Sequence, residues 1–130
     1  MTKTLVIDGN AIHDISSFYD EINRVFMAGE EWQLGASLDA LADMLRGGFG
    51  AIDGGETVRL IWLAMDRSRA VLGSETTRAF YEAKLARPET FDSRVITERL
   101  AALEAGIGPT YFEIVLEIIA EHPNIVLEAR

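Results

Sequence analysis

Three short apolar runs limit what this chain can fold into: Thr4-Leu5-Val6-Ile7, Val58-Arg59-Leu60-Ile61-Trp62-Leu63 and Ile125-Val126-Leu127. Each is rich in β-branched or aromatic residues and has the length of a strand. Long stretches of helical periodicity separate them, so no two can be joined by a hairpin turn. Strands separated by helices pair in parallel through right-handed crossovers. The fold class expected is therefore α/β, with a small three-stranded parallel sheet packed with helices. The middle run is apolar almost throughout, which predicts a strand covered on both faces and Trp62 in the core. A chain of 130 residues with 48% hydrophobic side chains is enough for a single domain, residues 1–130, with a sizeable core.

The connections carry their own signals. Asp8-Gly9-Asn10 is turn chemistry that stops the first strand. Ser16 or Ser17 is positioned to cap a helix in which Phe18, Ile22, Val25 and Phe26 line one face, with Gly29 as its terminator. A second helix is expected over residues 35–46, with Leu34, Leu38, Leu41 and Leu45 forming a narrow inward stripe and Gly47-Gly48 ending it. The glycine-rich loop from Gly47 to Gly55 has the composition of a phosphate cradle. It follows a helix, leads into a strand and has no lysine, so it reads as a connection. Residues 66–108 form an extended helical segment, with Ser74 capping one helix that reaches Arg87 and a second running from Asp92 to Ala105. Pro109 then opens a last helix with Phe112, Val115, Leu116 and Ile119 inward and Glu113, Glu117 and Glu121 outward.

Charge narrows the chemistry. A formal net charge of −9 argues against a nucleic-acid-binding surface and favours encounter with a basic partner. The absence of cysteine, of a basic-then-apolar leader and of any apolar run near ~18 residues predicts a soluble, cytoplasmic protein that does not enter a membrane. His13 and His122 are the only histidines, which disfavours a transition-metal site or histidine-based nucleophilic catalysis. Ser37 has no base beside it and reads as a helix cap.

Asp39 and Asp43 stand out. They lie four apart on the side of the second helix opposite its leucines, among Ala36, Ala40 and Ala42, with Arg46 the one cation within a turn. Like charges at this spacing weaken an isolated helix by a few tenths of a kcal/mol. One reading is an ordinary solvated face. Another is a Mg²⁺-dependent hydrolase site built from Asp39, Asp43 and Glu117, which would need a recessed cage that an exposed helix lined with alanines does not provide.

The order of these elements, together with Ile7-Asp8-Gly9, Ile12, Gly35-x-Ser37-Leu38-Asp39-Ala40-Leu41-x-Asp43-x-Leu45 and the closing Ile125-Val126-Leu127 run, resembles the barstar family of bacterial ribonuclease inhibitors. The resemblance implies a non-enzymatic inhibitor, without cofactor or metal, whose second helix and preceding loop plug the cleft of a basic, guanyl-specific type of secreted ribonuclease. By the same resemblance, Asp39 and Asp43 are the helix acids that meet the phosphate-binding cations, with Asp43 the phosphate mimic, and Glu117 is a further interface acid. Trp32, Gln33, Gly35, Ser37, Ala42 and Arg46 complete the expected partner-binding surface. Gln33-Leu34 and Ala42 stand where the family often carries aromatics, and the helical segment 66–108 is longer than in compact members. A barstar-like interaction or immunity module for a different toxin or regulatory partner is the alternative function, since fold does not fix function.

Overall fold

A computed structural model describes residues 2–130. Strands β1 (Lys3–Asp8), β2 (Val58–Leu63) and β3 (Ile125–Ala129) form one parallel sheet in the order β1-β2-β3. The chain therefore has the expected α/β architecture. The register aligns Ile7 with Trp62 and Leu5 with Leu60 on one side of β2, and Leu60 with Leu127 on the other. Side chains alternate between faces, so Ile7, Val58, Leu60, Trp62 and Ile125 share the face that packs into the main core.

The opposite face is not covered, contrary to expectation. Val6, Leu63 and Val126 on it are 39%, 36% and 56% exposed. The apolar run of β2 follows instead from its central position. Ile61, on the open face, pairs in register with Val6 and Glu128 and is buried by these flanking strands, while Arg59 donates to Glu128 at 2.7 Å beside it.

Helix α1 (Ile15–Phe26) begins two or three residues earlier than the serines suggested. Asp14 is its cap, accepting from the Ser17 backbone N–H, and Ser17 completes a capping box from the third helical position. Helix α2 (Leu38–Leu45) is shorter than the expected 35–46. Ser37 caps it by accepting from the Ala40 N–H at 3.1 Å, which ends the helix on its N-terminal side and leaves Leu34 in the loop. Leu34 is nonetheless buried, and Met44 takes the inward position that a Leu34-based stripe does not supply.

The extended helical segment resolves into α3 (Met65–Val71), α4 (Ser74–Leu85) and α5 (Ser93–Glu104). Ser74 does not cap α4. It is the first helical residue, Gly73 holds the cap position, and no side chain caps there. Asp92, where the sequence started the second helix of this segment, is the cap of α5, accepting from the Arg94 and Val95 N–H groups. Helix α6 (Tyr111–Ala120) opens on Thr110, which forms a capping box with Glu113, so Pro109 stands just outside the helix rather than opening it.

Trp62 is fully buried, stacked 6.1 Å from Phe18 and edge-on to Phe112 at 5.6 Å. Tyr19 and Tyr111, absent from the predicted core, bring their hydroxyls together at 2.6 Å between α1 and α6. A second, smaller cluster of Tyr81, Ile96 and Leu103 joins α4 to α5. Gly9 cannot be replaced without cost, because a Cβ there would lie 2.3 Å from the Leu63 carbonyl and 2.7 Å from Ser68 Oγ. The Gly47–Gly55 loop is a helix-to-strand connection, pinned by Gly54 N–H to the Gly47 carbonyl at 2.8 Å and Ala51 N–H to the Phe26 carbonyl at 2.8 Å.

Candidate functional site

The loop between α1 and α2 is held in place by side chains behind it. Asn23 of α1 accepts from the Leu34 N–H at 2.6 Å and donates to the Leu34 carbonyl at 3.3 Å, while also donating to the Tyr19 carbonyl at 2.9 Å. This two-point grip, with the Leu34 side chain buried beneath it, fixes the residues on either side. Glu30 accepts from the Gly50 N–H at 3.3 Å, tying the start of the loop to the α2–β2 connection. The Ser37 N–H donates to the Gly35 carbonyl at 2.9 Å, and the turn delivers Ser37 to its cap position. A recognition surface ordered before it meets a partner loses less entropy on binding.

On this frame Trp32, Gln33, Gly35, Ser37, Asp39, Asp43 and Arg46 are all exposed, and Ala42 is partly buried. Trp32 is 48% exposed, with its ring 4.9 Å from Phe49. A Cβ on Gly35 would meet nothing within 4 Å, so the backbone there is open to a partner. Asp43 is ion-paired with Arg46 across one turn. Asp39 has no ion pair among the described residues. Lys84 of α4 is, however, close enough for its charge to feel Asp39. Lys84 itself lies over the rings of Phe80 and Phe91 at 4.4 and 5.0 Å. Its burial there pushes its amine below the ordinary lysine range, Arg99 adds to the effect, and Asp39 opposes it. The extended segment therefore brings a positive charge within electrostatic reach of Asp39.

Glu117 is exposed on α6, a helix that packs against α2. Among the described residues no three His, Cys, Asp or Glu side chains gather as a metal site would require, so Asp39, Asp43 and Glu117 do not form the cage that a Mg²⁺-dependent hydrolase needs. His13 is engaged by Arg67 at 3.1 Å and His122 by the Ile118 carbonyl at 2.8 Å. What the surface offers is solvated carboxylates on a rigid helix, suited to accept guanidinium or ammonium donors from another protein.

Three residues important here were not singled out from the sequence. Asn23 gave no signal, because an asparagine within a helix is usually solvated. Lys84 is distant in sequence from Asp39. Glu21 is buried at 4% exposure, accepting from the Asp8 N–H at 2.6 Å and from Arg24 Nε and Nη2 at 2.7 and 2.6 Å. Its i,i+3 spacing to Arg24 was visible, but its burial was not. This pairing raises the Arg24 guanidinium above its ordinary range. No helix among the described residues is long and apolar enough to cross a membrane.

The model of a family described as Barstar (barnase inhibitor) matches residues 2–87. The match covers β1 through α4, including the whole of the loop and α2. No curated protein matches the chain.

Proposed function

The chain belongs to the barstar family, and on that footing we propose that it inhibits a basic ribonuclease of the guanyl-specific type by laying α2 and the loop before it into the enzyme's active-site cleft. The observation that carries this reading is the pair Asp39 and Asp43, exposed in consecutive turns of a helix whose approach loop is locked by Asn23. An enzyme that cleaves RNA presents cations where phosphates bind, and carboxylates fixed at helical spacing satisfy them without reorganisation. Asp39 meets the partner directly, whereas Asp43, the phosphate mimic, exchanges its bond to Arg46 for one to the enzyme. Trp32, Gln33, Gly35, Ser37, Ala42 and Arg46 surround the acids on the same surface, and Glu117 contributes from α6. The protein works in the cytoplasm, carries out no reaction of its own and needs no cofactor. Charge steering and hot-spot acids of this kind characterise the inhibitor–nuclease pair that typifies the family.

Calorimetric titration into a guanyl-specific bacterial ribonuclease at two salt concentrations tests the proposal. One-to-one binding is expected, weakening by several kcal/mol with Asp43→Ala or Asp39→Ala and with added salt. Binding indifferent to both substitutions would refute it.

A second reading is favoured by two observations: Ala42 in place of an aromatic, and the charge of Lys84 within electrostatic reach of Asp39. Both fit an immunity module for a different toxin, one whose cleft carries an acidic residue opposite Lys84. A tight native-host partner that is not a ribonuclease would decide for it.

A further inference from the structure

Trp32 does not merely flank the acidic helix; it walls a cleft. Between α1 and the loop that follows it lies an open depression of about 480 Å³. Met27 and Trp32 line it together with the carboxylates of Asp20, Glu30 and Glu31. Phe49 packs against Trp32 at 4.9 Å, holding the indole in place while 48% of the residue stays open to solvent. The one cation in the lining is Arg24, whose guanidinium is already committed to the buried Glu21 through two bonds. Glu30 holds the Gly50 N–H. Asp20 and Glu31 have no side-chain partner among the described residues. An exposed indole face beside unpaired carboxylates is complementary to a cation with a flat or extended apolar stem.

We propose that this cleft is a second contact for the same partner, taking one arginine or lysine side chain from outside the nuclease's active site, stacked on Trp32 and paired with Asp20 and Glu31. Trp32 and Gln33 run directly into the Gly35–Asp43 surface, so one basic protein can cover both. The inference rests on the reading of α2 as the nuclease-binding helix.

The two tryptophans separate the readouts, because Trp62 is fully buried and acrylamide reaches only Trp32. In the whole protein at low salt, a hexa-arginine peptide is expected to shield Trp32 from acrylamide. The double substitution Asp20→Asn with Glu31→Gln is expected to weaken that shielding by about tenfold in peptide concentration. Asp39→Asn with Asp43→Asn is expected to leave it in place. In complex with a guanyl-specific ribonuclease Trp32 is expected to become unreachable, and Trp32→Leu to cost about tenfold in affinity. A complex that depends on Asp39 and Asp43 but leaves Trp32 quenchable, or a peptide that shields the neutralised variant equally well, overturns this inference alone. Failure of the wild-type protein to bind any such ribonuclease overturns the reading beneath it, and this inference with it.

Discussion

Replacing Asn23 by alanine is expected to loosen the recognition loop without touching a residue of the recognition surface. The side chain makes three hydrogen bonds to backbone: from the Leu34 N–H at 2.6 Å, to the Leu34 carbonyl at 3.3 Å and to the Tyr19 carbonyl at 2.9 Å. The long bond contributes little. The other two are worth about 1 kcal/mol each, and leaving the Leu34 N–H unpaired next to its buried side chain adds about 1 kcal/mol, for a total of about 2–3 kcal/mol. That compares with about 0.5 kcal/mol or less for an ordinary surface substitution. For a chain of this size it corresponds to a fall in Tm of about 10 °C. Urea unfolding measures the global loss, and hydrogen exchange at the Leu34 amide measures the local one, expected to quicken by about thirtyfold for a loss of about 2 kcal/mol. Asn23→Asp keeps the acceptor for the Leu34 N–H while removing both donors, so its amide protection is expected to lie between the two. Affinity for the proposed ribonuclease partner is expected to fall in Asn23→Ala, because the loop must then be ordered on binding. Stability within about 0.5 kcal/mol of wild type, with unchanged Leu34 protection, would refute the claim that Asn23 locks the loop.

Three further outcomes follow from named contacts. Tyr19→Phe strands the Tyr111 hydroxyl in the core and is expected to cost about 1–2 kcal/mol in urea unfolding, whereas adding Tyr111→Phe removes both hydroxyls and is expected to recover part of that loss. Lys84→Met removes the cation that feels Asp39, so stopped-flow association with a basic ribonuclease is expected to quicken, with the gain shrinking as salt rises. Asp14, held low mainly by the Ser17 backbone N–H, Glu56, held low by the Asp53 N–H and by Lys3, and Glu128, held low by Arg59, all titrate below the usual carboxylate range. Their contribution to stability is present above the unfolded values near pH 4 and is lost as pH falls through the lower folded values, so Tm is expected to drop on acidification from about pH 4 towards pH 2.

What could be read in the sequence follows from which forces are local. The three strands and the helices between them, apart from α3 as a separate element, were legible because hydrophobic period and turn residues act over a few positions. The start of α5 at Asp92 was readable for the same reason. The caps of α1 and α4 were misplaced because serines near a helix start compete with other candidates: Asp14 forms a capping box with Ser17, and Gly73 holds the α4 cap position with no side-chain bond. The open outer sheet face was missed because a continuous apolar run cannot distinguish a strand covered on both faces from the central strand of a narrow sheet. At the site, the exposure of Asp39 and Asp43 followed from helical spacing. The grip of Asn23 on Leu34, the approach of Lys84 to Asp39 and the burial of Glu21 join residues that only the tertiary fold brings together, and no short-range pattern encodes them.

The most direct test of the account is the rate of RNA hydrolysis by a guanyl-specific ribonuclease as this protein is added. Activity is expected to fall linearly and vanish at one equivalent, with Asp39→Ala and Asp43→Ala each shifting the curve to higher concentration. Hydrolysis unchanged in the presence of a large excess of the wild-type protein, for every such nuclease tried, would contradict it.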